Sequence, residues 1–202
     1  MALANYSDLK TSVLSWLNRT GDTYLSSQAS DIIVLTEARL NRLLLVNERL
    51  IEATGTFADP LPVPADLWTV KSIVWETGGG EIPLRAVSLE EYAMHVSSAG
   101  YPAVYTEFNG ELLIAPTASG DYILRYYAKI PALSDSNTTN WLLTKYPDVY
   151  LWGALSEASS FINSDAKVQK FEAKFVTAIA EILRDNESRR LGGSLLRMRA
   201  VQ

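Results

Sequence analysis

The sequence predicts a mainly helical α+β fold, an antiparallel helix bundle with a β-rich insertion between its second and third main helices. Three observations support this prediction. Apolar residues recur at helical spacing near both ends of the chain, glycines and prolines divide the middle into short alternating segments, and no flexible linker separates the two patterns. A chain of 202 residues buries roughly 70% of its unfolded surface, so it needs no disulfide or metal to fold.

Two helices are predicted before the β-rich region. The first spans residues 7–18, with Ser7 as its N-cap and Gly21 as the stop that follows. The second spans residues 28–47, and its wetter side carries the arginines Arg39 and Arg42.

From about residue 50 the apolar residues no longer recur at helical spacing. Residues 52–57 are prone to form a strand, and Pro60, Pro62 and Pro64 cannot lie in a regular helix. Residues 61–68 are expected to be extended and to lead into a single turn. A strand over residues 70–75, the turn Gly78-Gly79-Gly80 and residues 82–84 together predict a hairpin.

Ser88-Leu-Glu-Glu91 matches a capping box that opens a short helix to His95. Asn109-Gly110 between residues 103–108 and 111–115 is the clearest hairpin signal, because both central residues of a type I′ turn need positive φ. A further strand over residues 122–130 alternates on one face, with Tyr122, Leu124, Tyr126 and Ala128.

Helix returns at Pro147, after a turn over residues 139–146. Asn163 to Asp165 interrupt it, with Ser164 as a plausible N-cap, and a long helix runs to about Leu191 before Gly192 and Gly193 stop it. We therefore expect four parts: N-terminal bundle helices (1–49), a β-rich insertion (50–135), C-terminal bundle helices (136–191) and a tail (192–202).

The bulk composition excludes several classes. With no cysteine, the chain has no thiol chemistry, zinc thiolate site or disulfide framework. A net charge of −5 disfavours a general nucleic-acid binder, which normally carries a basic face. The N-terminus lacks the pattern of a signal peptide, and no apolar run approaches the roughly 20 residues that span a bilayer, so we expect a soluble protein without membrane contact.

Catalytic patterns are weak. His95 is the single histidine, so a surface or capping role is favoured over a metal ligand or a triad member. Glu90 and Glu91 are explained by solvation and by the capping box. The three glycines at 78–80 lack the lysine of a phosphate-binding loop. We expect no cofactor and no enzymatic activity.

Aromatic side chains are concentrated in the β-rich region. They could stack on bases or sugars, or form a protein interface, where tyrosine is enriched. A strand core with tyrosines at its edge is the favoured interpretation, since few Lys or Arg residues lie between them. The residues are Tyr101, Tyr105, Phe108, Tyr122, Tyr126 and Tyr127.

The C-terminal tail differs from the rest of the chain. Arginines at 189 and 190 suit a helix C-terminus, but Arg197 and Arg199 lie beyond the two glycines and alternate with apolar residues. Such a tail is either a docking segment that orders on a partner or plain disorder. The docking residues would be Ser194, Leu195, Leu196, Arg197, Met198, Arg199 and Val201.

The order of these motifs resembles the head-to-tail connector (adaptor) proteins of tailed bacteriophages, including the tail tubular protein A-like adaptors. The resemblance covers about residues 6–160, most of the chain. Its most specific part is the run Asn140-Trp141-Leu142-Leu143 with the segments that follow it. The matching segments are residues 6–9, 37–42, 61–67, 101–102, 129–135, 140–143, 146–148 and 150–155.

The resemblance implies a structural virion protein at the head–tail interface, assembled in the host cytoplasm. Such adaptors form a ring below the portal protein, commonly twelve-fold, which extends the DNA channel and receives tail or nozzle proteins. Net acidity suits a channel wall past which genomic DNA slides without specific binding. The C-terminal tail would reach the portal. Subunit contacts or packing are expected from Arg39, Arg42, Trp141, Tyr146, Tyr150 and Trp152.

Two other classes stay open. A cell-wall hydrolase would need a buried carboxylate or a histidine pair. A carbohydrate- or receptor-binding module would use the tyrosine-rich strands, and changing Tyr126 or Tyr105 to alanine would then abolish binding.

Overall fold

The computed structural model describes residues 3–57, 60–77, 80–98, 100–117 and 119–190. Of the described residues, 49% are helical and 23% lie in strands, in six helices and two sheets, which confirms the predicted α+β class. The chain forms two compact units. One comprises Met1–Val46 and Ile130–Gln202, and the other comprises Asn47–Lys129.

The first unit is helical. Its elements are α1 (Tyr6–Trp16), α2 (Thr23–Leu43), α4 (Trp141–Lys145), α5 (Pro147–Phe161) and α6 (Asp165–Arg190). Helix α5 lies at the centre and contacts the other four. It can do so because small residues, Gly153, Ala154 and Ala158, are buried along it beside larger ones such as Tyr150 and Leu155.

The starts of the first two helices correct the sequence predictions. Helix α1 is capped by Asn5, whose Oδ1 accepts the Asp8 N–H at 2.9 Å, so Ser7 lies inside the first turn and is not the cap. The helix already ends at Trp16, before Gly21. Helix α2 spans Thr23–Leu43 rather than 28–47, because the Asp22 carboxylate accepts the Leu25 N–H at 2.9 Å.

The C-terminal helices follow the sequence more closely. The predicted starts at Pro147 and after Ser164 are confirmed. The turn expected over 139–146 is wrong in part, because Trp141–Lys145 form the short helix α4, capped by Asn140. Gly192 and Gly193 lie outside the described residues.

The second unit is β-rich. Its strands are β1 (Leu50–Thr56), β2 (Leu67–Thr77), β3 (Gly80–Pro83), β4 (Arg85–Ala86), β5 (Val104–Phe108), β6 (Glu111–Ala115) and β7 (Asp121–Ala128). A four-stranded antiparallel sheet has the order β1-β7-β2-β3, and a three-stranded sheet has the order β4-β5-β6, with β4 parallel to β5. Helix α3 (Leu89–His95) belongs to the same unit.

Local signals within this unit are confirmed. Asn109 and Gly110 have φ of 52° and 77° and join β5 to β6. The Ser88 side chain accepts the Glu91 N–H and caps α3. Strand β2 pairs with β3 as a hairpin, although Gly78 and Gly79 lie outside the described residues. Strand β7 ends at Ala128 rather than 130, and its four alternating residues are buried in one apolar cluster.

Candidate functional site

A buried hydrogen-bond network joins α2, α5 and the segment that enters α4. Glu37 Oε1 accepts the Leu133 N–H at 2.8 Å and the Tyr150 hydroxyl at 3.1 Å. The Tyr150 oxygen in turn accepts from Asn140 Nδ2 at 2.8 Å, and the same amide donates to the Pro131 carbonyl at 2.7 Å. The network therefore connects the segment of residues 131–140 to helices α2 and α5.

Burial governs the charge state of this network. Desolvation raises the pKa of the Glu37 carboxyl, partly offset by hydrogen bonds from Leu133 and Tyr150. Burial, with the neighbouring Glu37 carboxylate, also raises the pKa of the Tyr150 hydroxyl, which stays a donor. Tyr150 is 0% exposed. Its side chain therefore belongs to the core of the helical unit.

Arg39 forms a second network at the side of the bundle. Its guanidinium donates to Glu157 Oε1 at 2.8 Å and to Glu172 Oε1 at 2.5 Å, and it lies over the Phe175 ring at 4.6 Å from the centroid. Ser156 Oγ donates to Glu172 Oε2 at 2.7 Å. Arg39 thus joins α2 to both α5 and α6.

Electrostatics stabilise the charged forms of Arg39 and Glu172. Burial alone would raise the pKa of Glu172, but hydrogen bonds from Arg39 and Ser156 together lower it. The pKa of Arg39 rises despite its desolvation, because it donates to Glu172 and Glu157. Arg39 and Glu172 therefore form an ion pair between α2 and α6.

Trp152 belongs to an aromatic cluster on α1, α5 and α6. Its ring lies edge-on to Trp16 at 5.2 Å and stacks on Phe171 at 6.2 Å, and Lys174 Nζ lies 4.3 Å above it. A groove of about 290 Å³ opens beside it. The groove is lined by Asp148, Trp152, Ala173, Lys174, Thr177, Ala178 and Glu181.

The other expected contact residues occupy varied positions. Trp141 is half-buried against the bundle core. Tyr146 donates to Asp185 Oδ2 at 3.0 Å, and Arg189 also bonds Asp185. Arg42 is exposed on α2. The expected docking residues 194–201 lie outside the described residues.

Three tyrosines of the β unit are core residues. Tyr105, Tyr122 and Tyr126 are buried, and the Tyr126 hydroxyl donates to Asp66 at 3.0 Å. Tyr101 is the exposed member, stacked on Trp75 at 4.8 Å. This burial favours a strand core over a sugar-binding surface built from Tyr105 and Tyr126.

Sequence reasoning missed Glu37 and Asn140 of the first network as site residues. It also missed Ser156, Glu157 and Glu172 of the second network. A signal for Glu37 existed, because a carboxylate three residues before Leu40 and four after Ile33 falls on the apolar side of α2. Asn140 precedes an apolar run, as N-caps do.

The described part of the chain contains no group of three His, Asp or Glu residues able to hold a metal ion. None of its helices combines the length and apolarity required for a membrane span.

Residues 4–199 match the family model described as SU10 adaptor protein. A search of curated proteins gives no match.

Proposed function

The chain belongs to the SU10 adaptor protein family, a family of phage adaptors, and we propose that it is the structural adaptor that forms a ring under the portal. In this proposal the ring extends the DNA channel and provides the attachment site for the tail. The observation that carries the proposal is the family match, which extends over nearly the whole chain, residues 4–199.

The chemistry of the described side chains agrees with a structural role. The buried or shifted groups of the helical unit, Glu37, Arg39, Tyr150 and Glu172, are bonded to partners within that unit. Such networks fix the geometry of a bundle. We therefore propose a protein without catalysis or cofactor.

The proposed partners are the portal protein, tail or nozzle proteins, and further copies of the chain, with twelve as the ring number that adaptors commonly have. Genomic DNA would pass through the channel without specific binding, as the net charge of −5 suggests. The proposed portal contact is the tail, residues 192–202, with Arg197 and Arg199 between apolar anchors.

Native mass spectrometry of the purified protein, alone and mixed with the portal of its own phage, tests this function. We expect a ring-sized complex with the portal. A chain truncated after Leu191 should fold but fail to bind, because the docking segment is removed. A full-length protein that never associates with its portal, or a truncated one that binds normally, would contradict the proposal.

A further inference from the structure

The turn between β5 and β6 carries a chemically reactive pair, Asn109 and Gly110. An asparagine before a glycine can lose its side-chain amide, because the glycine nitrogen attacks Cγ of the asparagine and glycine has no Cβ to hinder the approach. Both residues are exposed, and no atom lies within 4 Å of the place that a Cβ on Gly110 would occupy. Neighbouring groups therefore leave room for the reaction.

Hydrogen bonding distinguishes this asparagine from two others with the same backbone conformation. In the described part of the chain Asn18, Asn109 and Asn163 have positive φ, and all three are exposed. The Arg19 N–H donates to a carbonyl of α1 at 2.8 Å, and the Ser164 N–H donates to a carbonyl of α5 at 3.0 Å. The N–H that follows Asn109 has no hydrogen-bond partner among the described residues, so this nitrogen is available to react.

The folded turn nevertheless holds the two reacting atoms apart. The φ values of 52° at Asn109 and 77° at Gly110 are those of a type I′ turn, in which the first central residue has a ψ of about +30°. At that ψ the Gly110 nitrogen lies nearly opposite to Cβ of Asn109 about the Cα–C bond, so the attack requires rotation about this bond. The rotation disrupts the pairing of Phe108 with Glu111 at the end of the hairpin. The reaction therefore proceeds from the locally opened hairpin.

We propose that Asn109 is a site of spontaneous deamidation, and that opening of the β5–β6 hairpin controls its rate. In the open hairpin the Gly110 nitrogen forms a bond to Cγ of Asn109, and the Cγ–Nδ2 bond breaks. The amide leaves as ammonia, which takes up the proton of the Gly110 nitrogen. Water then hydrolyses the succinimide ring at either of its carbonyls. The products are aspartate, with the main chain unchanged, and isoaspartate, in which the main chain passes through the former side chain.

Either product alters the hairpin. A carboxylate at position 109 joins two exposed acids near it, Glu107 and Glu111, and like charges repel. Isoaspartate also lengthens the two-residue loop by a methylene group, and the loop length fixes the register of a hairpin. Strand β6 contributes Leu112 and Ile114, both buried, to the apolar cluster of the β unit. The modification therefore weakens the core of that unit.

Peptide mapping of the aged protein tests the proposal. The purified chain would be incubated in mildly alkaline buffer, digested with trypsin and analysed by mass spectrometry. The peptide of residues 86–125 contains a single asparagine, Asn109, so the mass change from amide to acid identifies the site. We expect Asn109 to convert before Asn18 and Asn163, whose following nitrogens are hydrogen-bonded. An Asn109→Gln chain should keep its amide, because glutamine must close a larger ring.

The same measurement in urea tests the role of hairpin opening. Unfolding the chain should accelerate the conversion of Asn109, and the ratio of the folded to the unfolded rate gives the equilibrium constant for opening. The variant Leu112→Ala removes a buried side chain of β6 and should accelerate the conversion without urea, while Asn163 of the helical unit serves as the internal control.

Two sets of results would overturn the proposal. Conversion of Asn18 or Asn163 before Asn109, or an intact Asn109 after several weeks in the folded chain, would show that the turn is not the modified site. Equal rates at Asn109 in the folded and the urea-unfolded chain would show that hairpin opening does not control the reaction. Both comparisons use the natural sequence, so they hold even if Leu112→Ala fails to fold.

Discussion

Gly153 sets the distance between three helices, so Gly153→Ala should destabilise the bundle. A Cβ at this position would lie 2.6 Å from Thr36 Cγ2 on α2 and 2.9 Å from Phe175 Cε2 on α6. Carbon atoms pack best at roughly 3.5–4.0 Å, so one or both neighbours must move. Overpacking of this kind costs about 1–3 kcal/mol.

A second effect acts in the opposite direction. Alanine is favoured over glycine inside a helix by about 1 kcal/mol. The net expectation is therefore a loss of up to about 2 kcal/mol in the free energy of unfolding. For a chain of this size that corresponds to a fall of up to about 8 °C in Tm.

Thr36→Ser isolates the cause of this loss. It removes the Cγ2 methyl that the new Cβ would meet, but it keeps the hydroxyl that donates to the Ile32 carbonyl at 2.9 Å. In a double-mutant cycle measured by urea unfolding with far-UV circular dichroism, we expect the two substitutions to compensate by about 1 kcal/mol. Phe175 remains close, so compensation should be partial.

Gly21→Ala serves as the matched control. No atom lies within 4 Å of the position that its Cβ would occupy, so its effect should stay within about 0.5 kcal/mol. The reasoning is refuted if Gly153→Ala stabilises the protein by the helix-propensity amount and shows no coupling to Thr36→Ser.

Three further predictions follow from the described contacts. Because burial raises the pKa of Glu37 above its ordinary 4.5, the stability of the natural chain relative to Glu37→Gln should fall as pH rises from below 4.5 through the raised value; a pH-independent difference in urea midpoints would contradict this. Asn140→Ala removes the cap on Leu143 and two buried donor contacts, so thermal unfolding should show a loss of about 2–3 kcal/mol. Gly110→Ala places a side chain at a φ of +77° and should cost about 1 kcal/mol; an unchanged Tm would argue against the type I′ turn.

Local sequence patterns were sufficient to predict the structure where one or two neighbouring residues determine the backbone conformation. Asn109-Gly110 predicted the hairpin because few other residues accept positive φ, and Pro147 predicted a helix start because its ring sets φ and it lacks an N–H. The alternation in β7 likewise predicted which side chains are buried. These features depend on contacts within a few residues.

Competing local signals were harder to rank. Both Asn5 and Ser7 are residue types that can cap a helix. In the structure the cap is Asn5, whose side chain accepts the Asp8 N–H. Helix α2 begins at Thr23, directly after its cap Asp22, which is earlier than the apolar periodicity of the helix indicates. At α1, two side chains able to cap a helix lie two residues apart, and their local sequence does not rank them.

The sequence by itself determined the α+β class, the hairpins, the Ser88 cap of α3 and the start of α5, since each depends on the intrinsic conformational preferences of adjacent residues. Only the tertiary structure decided that Glu37 meets Tyr150, 113 positions away, and that Arg39 reaches Glu172, 133 positions away. It also decided that Tyr105 and Tyr126 are buried. The physical reason is that such pairings depend on how whole helices and sheets pack, and no local preference specifies that arrangement.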